Sequence, residues 1–494
     1  MRHPAARLVA RLVLVVAALA GVPAAAHAQI PQAEFAARRD SLAARIGTGI
    51  VVAFGGRTPV TDFGAFHQLP AFRYLTDYDE PDAAFVLVAQ GGRATATLFT
   101  MPIDPRRAFY YGRRPDSAAI ARSYGLPSRP FTALASTVDS LLAAGLPLWT
   151  LDDFEAEDFA AQDSLTRGRA FVTGVRARRG GAEARDAHPI VNQLRARKSA
   201  AELALIRRAA EISSAGHVAA MRLADARHEY DYQAAIEAAF LRGGATGPSY
   251  GSIVGAGING TTLHYMKNRG AARPGDLVVI DAGALYEGYA ADITRTLPVS
   301  GRFTPAQRAL YQLVLDAMKA AERNSGPGRS HAAAHDSSFE VRARGLARLG
   351  LIESAEATFD PPWKPDCTRQ PLQCRQAMLW MIHGISHGIG LAVHDPAAFY
   401  EGDRTYRPGD AFTIEPGIYV TRQSLEALED TPRNRAFIAA VRGAVAKYEA
   451  TGVRIEDDYV VTATGLERIS TGAPREIADV EAAMARGRAS RAAR

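Results

Sequence analysis

Short apolar runs and longer amphipathic stretches alternate along the first part of the chain. The apolar runs predict buried strands and cover residues 49–54, 83–89 and 95–100. Apolar residues at helical spacing predict helices, which cover residues 32–45, 117–123 and 133–144. This alternation predicts a mixed α/β domain that ends near Arg185.

Longer helical patterns follow in the second part. An apolar face at helical spacing follows Ser199, and Thr304 with Pro305 marks the start of another long helix, at 305–323. Two further helices are predicted at residues 231–242 and 335–349.

The chain of 494 residues exceeds the usual size of one hydrophobic core, so we expect two domains. A stretch rich in Arg, Gly and Ala at 177–186 suits a linker between them. We therefore predict domains at 29–185 and 186–480, followed by a frayed, solvated Ala/Arg-rich tail at 481–494.

Residues 1–28 have the features of a secretory signal peptide. Three arginines accompany an apolar stretch too short to span a bilayer comfortably, and a small-x-small cleavage motif ends at Ala28. Cleavage near Ala28 predicts an exported protein, either periplasmic or secreted, with an uncleaved anchor as the alternative. No other segment of the sequence predicts stable membrane insertion.

The composition of the chain bears on which molecules it could bind. The net charge of +6 falls to about +3 without residues 1–28, and hydrophobic and charged contents of 47% and 22% are ordinary for a soluble protein. The sequence has no clustered basic motif, which argues against a nucleic-acid partner. The two cysteines, Cys367 and Cys374, lie in a proline-rich stretch and predict one local disulfide.

Two aspartates lie in a predicted β-hairpin formed by residues 277–282 and 290–297. A turn centred between Tyr286 and Glu287 would place Asp281 directly opposite Asp292, with Cβ atoms about 5 Å apart. Two facing carboxylates need a proton or a cation between them. The alternative is that one aspartate faces solvent or that the pairing slips by a residue.

Three histidines, His383, His387 and His394, lie within the stretch HGISHGIGLAVHD. Its glycines argue against a helix, and the glutamate of an HExxH zinc peptidase is absent. A lone histidine is more often structural, whereas three in this glycine-rich stretch predict a site.

Two glutamates follow apolar residues further along. Glu415 follows the apolar run 412–414, where a charge must be paired or coordinated. Glu456 lies in GVRIEDD and is, by itself, compatible with an ordinary salt bridge. The neighbouring Asp457 and Asp458 are either solvated or paired with Arg454.

Together these motifs resemble those of the pita-bread metallopeptidases, which include aminopeptidase P, prolidase and methionine aminopeptidase. The resemblance also includes SIVGAGINGTTLHY at 252–265 and covers about 30–471. FRYLTDYDEPDAAFVLV at 72–88 and YYGRRPD at 110–116 resemble the aminopeptidase P and prolidase branch. The implied fold is an N-terminal mixed α/β domain followed by a catalytic pita-bread domain.

The resemblance implies a set of site residues. The metal ligands would be Asp281, Asp292, His387, Glu415 and Glu456, with Asp292 and Glu456 bridging two ions. The histidines that match non-ligand residues of the active site and contact substrate are His264, His383 and His394, and Arg454 matches an arginine at the substrate pocket. Glu415 would also be catalytic, as a proton shuttle.

The implied activity is that of a metal-dependent Xaa-Pro aminopeptidase, in which a hydroxide bridging two metals attacks the amide before proline. Oxygen-rich ligation favours Mn²⁺, with Zn²⁺ or Co²⁺ as alternatives. The substrate would be a peptide with proline at its second position, and the family suggests a homodimer or homotetramer. Alternative functions are an Xaa-Pro dipeptidase (prolidase) and a non-catalytic binding module on the same fold.

Overall fold

The computed structural model describes residues 29–59, 66–151, 167–180, 183–223 and 225–492. The predicted signal peptide at 1–28 therefore lies outside the described residues. No helix in the described ranges combines the length and the apolar character that a membrane span needs.

The N-terminal part is built around a six-stranded sheet with the order β4-β3-β2-β1-β5-β6. The strands are β1 (Gly49–Phe54), β2 (Ala84–Gln90), β3 (Arg93–Thr100), β4 (Ser128–Pro130), β5 (Leu148–Leu151) and β6 (Ala184–Asp186). β1, β2 and β3 pair antiparallel, whereas the strands at both edges join in parallel. This sheet and the helices around it agree with the predicted mixed α/β domain.

Helices cover both faces of the N-terminal sheet. They are α1 (Gln32–Ile46), α2 (Pro70–Thr76), α3 (Pro105–Tyr111), α4 (Ser117–Tyr124), α5 (Leu134–Ala143), α6 (Arg167–Arg179) and α7 (His188–Arg195). Alternate residues of β1 enter opposite cores: Val51 packs in the core that contains Leu42, and Val52 in the core that contains Val138. Burial on both faces explains why β1 is apolar throughout.

The predicted linker at 177–186 is wrong. This stretch contains the end of α6 and strand β6, which extends the sheet by pairing with β5. Ala187 and Val191, beyond it, are also buried in the N-terminal core. Regular structure therefore occupies both ends of a segment whose composition is typical of a loop.

The C-terminal part combines long helices with short sheets. Its helices are α8 (Ala200–Met221), α9 (Glu229–Arg242), α10 (Pro305–Asn324), α11 (His331–Arg348), α12 (Arg422–Glu426), α13 (Pro432–Tyr448) and α14 (Ile477–Ala492). Ser199 caps α8 and Thr304 caps α10, each in a reciprocal pair of hydrogen bonds with the residue three positions later. Both predicted helix starts are confirmed.

Four short sheets form the framework of the C-terminal part, with the orders β12-β9-β8, β11-β10-β7, β13-β16-β17 and β14-β15. The first two contain β7 (Gly247–Pro248), β8 (Ile253–Ala256), β9 (Leu277–Asp281), β10 (Ala284–Tyr286), β11 (Tyr289–Ala290) and β12 (Thr294–Pro298). The others contain β13 (Ala411–Ile414), β14 (Gly417–Val420), β15 (Thr451–Arg454), β16 (Asp457–Val461) and β17 (Leu466–Arg468). A large apolar core joins these sheets to the helices.

Two local predictions have different outcomes. The disulfide between Cys367 and Cys374 is confirmed. The frayed tail is wrong, because α14 continues through most of the Ala/Arg-rich segment and buries Val480, Ala483 and Met484 against the core. Ala483 and Met484 lie on the buried side of this helix, whereas Arg486 and Arg488 are exposed.

Candidate metal centre and its pocket

The hairpin that carries the two aspartates has a register different from the predicted one. Asp281 pairs with Thr294, and the turn is centred between Glu287 and Gly288, which both have positive φ. Asp292 therefore lies two residues from the partner of Asp281, on the same face but diagonal to it. The predicted direct pairing is wrong, while the shared face is retained.

Tyr250 joins the two aspartates. Its hydroxyl contacts Oδ1 of Asp281 and lies 2.5 Å from Oδ1 of Asp292. Sequence reasoning missed this residue, because a single tyrosine in GPSYGS has no distinctive pattern. By bonding to both side chains, the Tyr250 hydroxyl fixes the carboxylates of Asp281 and Asp292 relative to each other.

His387 lies in an irregular segment that is hydrogen-bonded to β13. Its backbone exchanges hydrogen bonds with Thr413, and its Nδ1 lies 3.0 Å from the carbonyl oxygen of Gly388. Donation from Nδ1 leaves Nε2 facing the carboxylates, with 3.5 Å to Asp292 Oδ2 and 3.4 Å to Glu415 Oε1. A histidine that binds a metal through one ring nitrogen is commonly oriented by a hydrogen bond from its other ring nitrogen.

Glu415 and Glu456 approach His387 from neighbouring strands. Glu415 follows β13, and its N–H donates to the carbonyl oxygen of Ile385 at 2.8 Å. Glu456 lies between β15 and β16, where its Oε2 accepts a 2.7 Å hydrogen bond from Thr294. Its other oxygen, Oε1, lies 3.7 Å from Nε2 of His387 and has no hydrogen-bond partner among the described residues.

The clustered carboxylates raise one another's proton affinity. Burial and the negative charges of Glu456 and Asp281 raise the pKa of Asp292 well above its ordinary value. Burial and Glu456 also raise the pKa of Glu415, to about 8. Burial acts in the same direction on Asp281, but the positive charge of Arg454 and the hydrogen bonds from Tyr250 and Arg454 together outweigh it and lower the pKa of Asp281. These groups need positive charge to remain ionised together.

This donor set fits divalent metal ions. One potential ligand atom from each of Asp292, His387 and Glu456 lies within 4.8 Å of the others. The unpartnered Oε1 of Glu456 is buried and faces this cluster, and a cation supplies the partner that it lacks. Asp281 and Glu415 border the same group of atoms, so the structure brings all five predicted ligands together.

The predicted substrate residues lie around the same cavity, which has a volume of about 410 Å³. His264, His383, His394 and Arg454 all line it. The rings of His387 and His394 are 4.3 Å apart, and the side chains of His264 and His394 are exposed towards solvent. The structure therefore places the predicted residues at one opening.

A hydrogen-bonded chain connects the histidine side of the cavity to Asp281. His383 Nε2 lies 2.9 Å from the hydroxyl of Tyr419, which accepts a 2.8 Å hydrogen bond from Arg454. Arg454 also forms a 2.5 Å ion pair with Asp281. Burial and nearby positive charge lower the pKa of His383 to about 3, so its ring is neutral at ordinary pH.

The expectation that Asp457 and Asp458 are solvated or paired with Arg454 is wrong. Both are fully buried, and Arg454 pairs with Asp281 instead. Asp457 pairs with Arg295 at 2.6 Å, whereas Asp458 accepts the backbone N–H of Asp292. The side chains alternate across β16, which sends the two aspartates to different partners.

Comparison with known proteins agrees with this architecture. Residues 35–147 match the family model of the aminopeptidase P N-terminal domain, and residues 204–463 match that of metallopeptidase family M24. An Xaa-Pro aminopeptidase of Escherichia coli is 31% identical over 93% of this chain and 99% of that relative. Xaa-Pro aminopeptidase 1 of Streptomyces coelicolor is also 31% identical, over 92% of this chain and 87% of the relative.

Solved structures give the same result. Aminopeptidase P from E. coli, with the inhibitor Pro-Leu, matches with a TM-score of 0.77 and 30% identity, covering 93% of this chain and all of the other. Aminopeptidase PepP of Pseudomonas aeruginosa matches with a TM-score of 0.76 and 32% identity, covering 93% and 99%. The predicted fold class, a mixed α/β domain followed by a pita-bread domain, is confirmed. The chain belongs to metallopeptidase family M24, with an aminopeptidase P N-terminal domain preceding its metallopeptidase domain.

Proposed function

We propose that this protein is a metal-dependent Xaa-Pro aminopeptidase, which releases the first residue of a peptide whose second residue is proline. The observation that carries the proposal is one cavity lined by the five candidate ligands, three histidines and Arg454. Relatives named Xaa-Pro aminopeptidase match 93% and 84% of this chain, which supports the same activity.

The proposed cofactor is a pair of divalent ions held by Asp281, Asp292, His387, Glu415 and Glu456. Mn²⁺ is the proposed metal because four carboxylates and one imidazole form an oxygen-rich donor set. A solved relative is described as Zn-substituted aminopeptidase P, so Zn²⁺ is the alternative to test. When bound, the ions would activate water as the nucleophile and polarise the scissile carbonyl.

The side chains of the cavity would orient the peptide and move protons. Glu415 lines the cavity, with its Oε2 3.5 Å from Nδ1 of His383, and is the group that we propose transfers a proton towards the leaving proline nitrogen. His383 is held by Tyr419, which keeps its ring in position beside Glu415. The exposed rings of His264 and His394 are available to bind peptide groups at the opening.

The proposed location is the periplasm or the exterior of the cell. Residues 1–28 support export because they combine arginines, an apolar stretch and a cleavage motif that ends at Ala28. We also propose that the mature protein forms a homodimer or homotetramer, on the analogy of its family. N-terminal sequencing of the exported protein and sedimentation measurements test these two points.

Hydrolysis of three peptides by the chelator-treated protein tests the activity. Ala-Pro-Ala-Ala, Ala-Pro and Ala-Ala-Ala-Ala are offered before and after the addition of Mn²⁺. The proposal predicts metal-dependent release of alanine from Ala-Pro-Ala-Ala and much slower cleavage of Ala-Ala-Ala-Ala. Cleavage of Ala-Pro alone would indicate a dipeptidase, and metal binding without cleavage would indicate a binding protein.

A further inference from the structure

Asp458 is a buried carboxylate that takes no direct part in the proposed chemistry. It is the second residue of β16 and is 0% exposed. Its two carboxylate oxygens lie 3.1 and 3.3 Å from the backbone nitrogen of Asp292, which donates to them. No second hydrogen-bond donor reaches this carboxylate from the residues that the structure describes.

The N–H of Asp292 needs this acceptor because of its position beside the sheet. Ala291 N donates to Ala284 and Ile293 O accepts from Ala282, so both of these backbone groups face the neighbouring strand. The N–H of Asp292 therefore points to the opposite side. On that side β12, which begins two residues later, is the edge strand of the sheet β12-β9-β8. The Asp458 carboxylate occupies the place that a carbonyl group of another strand would take.

The same contact connects two members of the candidate metal cluster. Glu456 N donates to the carbonyl oxygen of Thr294 at 3.1 Å. Asp458, two residues after Glu456, accepts the N–H of Asp292, which lies two residues before Thr294. Together these bonds fix the segment that carries Asp292 against the segment that carries Glu456. The separation of their carboxylates, on which the metal cluster depends, follows from this alignment.

The neighbouring Asp457 differs from Asp458. Asp457 is compensated by Arg295, Arg468 and Arg475, and it accepts a hydrogen bond from Ser470. Asp458 has no cationic partner among the described residues, so its burial is costly and is offset by one backbone hydrogen bond. Asp458 therefore differs from Asp457 in that its hydrogen bond goes to the backbone of a candidate metal ligand, Asp292.

We infer that Asp458 is a positioning residue for the metal ligand Asp292, through its hydrogen bond to the Asp292 backbone. The inference rests on the proposed metal centre but not on the identity of the peptide substrate. Hydrogen bonds that orient metal ligands typically change metal affinity by about 10- to 100-fold when they are removed.

Titration calorimetry of the chelator-treated full-length protein with Mn²⁺ tests this role. Asp458→Leu removes the acceptor while keeping the branching of the side chain, and we expect its affinity for Mn²⁺ to fall by about 10- to 100-fold. Asp458→Asn keeps an oxygen that accepts from Asp292, so its affinity should stay within about threefold of the wild type. Asp458→Ala serves as a second deletion variant if the leucine variant does not fold.

Asp410→Leu is the matched control. Asp410 is 1% exposed and accepts the backbone N–H of Arg407 at 2.8 Å, yet it does not line the cavity. Its replacement should lower the thermal stability without changing the affinity for Mn²⁺.

Wild-type affinity in a folded Asp458→Leu or Asp458→Ala variant would overturn the inference and leave the proposed function intact. Failure of both variants to fold, with Asp410→Leu folded, would make Asp458 a determinant of folding and would also overturn it. A wild-type protein that binds Mn²⁺ but cleaves no Xaa-Pro peptide would refute the function, while the predicted affinity loss would still support the positioning role.

Discussion

Oε1 of Glu456 lies 3.7 Å from Nε2 of His387 and has no hydrogen-bond partner among the described residues, although Glu456 is buried. The carboxylate of Asp292 lies beside the same imidazole, at 3.5 Å. Buried carboxylates repel each other and lose hydration, which a divalent cation compensates. This relationship is the structural reason for assigning a metal centre.

Asp292→Ala should abolish activity while the fold is retained. We expect the rate to fall by at least about 10³-fold, because several kcal/mol of metal-dependent stabilisation of the transition state are lost. The metal-free variant should be at least as stable as the metal-free wild type, since one repelling carboxylate is removed. Turnover and thermal unfolding with and without Mn²⁺ measure both effects.

The exposed Asp316 on α10 provides the control for that substitution. Asp316→Ala should leave turnover unchanged and should keep the increase in melting temperature that Mn²⁺ gives the wild type. Wild-type turnover by Asp292→Ala would refute the assignment of the site.

Asp395→Asn should destabilise the protein near neutral pH. The buried Asp395 pairs with Arg195 at 2.7 Å and with Lys198 at 2.9 Å. Loss of its charge breaks a buried ion pair with two cations, so we expect the free energy of unfolding to fall by about 3–5 kcal/mol. Urea denaturation at about pH 7 measures this difference.

The effect of Asp395→Asn should depend on pH in a defined direction. Burial alone would raise the pKa of Asp395, but Lys198 and Arg195 outweigh it and hold the pKa below its ordinary value. The stabilisation is therefore complete above the unfolded-state pKa of about 3.9 and is lost as the pH falls through the lower folded-state pKa. A difference between variant and wild type that stays constant down to about pH 3 would contradict this explanation.

The exposed aspartate of a surface ion pair gives a comparison for Asp395. Asp403 pairs with Arg407 at 2.7 Å on the surface, where solvent screens the interaction. Asp403→Asn should leave the free energy of unfolding nearly unchanged at every pH at which Asp395→Asn is destabilising.

Replacing both cysteines by serine should lower stability without affecting catalysis. Cys367 and Cys374 close a loop with a sequence separation of 7 residues, for which chain entropy predicts a loss of about 2.5 kcal/mol. Neither cysteine lines the cavity, so the turnover of the folded variant should equal that of the wild type. A variant with unchanged stability but reduced turnover would show that the loop acts on the site instead.

The sequence predicts local structure best where one local signal dominates. The apolar run from Gly49 to Phe54 coincides with β1, and the caps at Ser199 and Thr304 mark the observed helix starts. Carboxylates and histidines beside apolar strands indicated a site, because packing alone does not require that combination. The resemblance to the pita-bread metallopeptidases then gave the set of ligands.

Features that depend on tertiary contacts were not predictable from the sequence. The hairpin register differs because Glu287 adopts a positive φ beside Gly288, and non-glycine residues rarely do so. Tyr250 and Asp458 contact Asp292 from distant parts of the chain, and no local pattern distinguishes them. The helical tail was missed because the helix is held by the packing of Val480, Ala483 and Met484 against the core, a tertiary contact that composition does not reveal.

A titration of the chelator-treated protein with Mn²⁺, in which bound metal and hydrolysis of Ala-Pro-Ala-Ala are followed together, tests the central claim most directly. The account predicts no hydrolysis without metal and a maximum rate when two ions are bound to each chain. Full activity in the absence of metal, or two bound ions with no cleavage before proline, would contradict it.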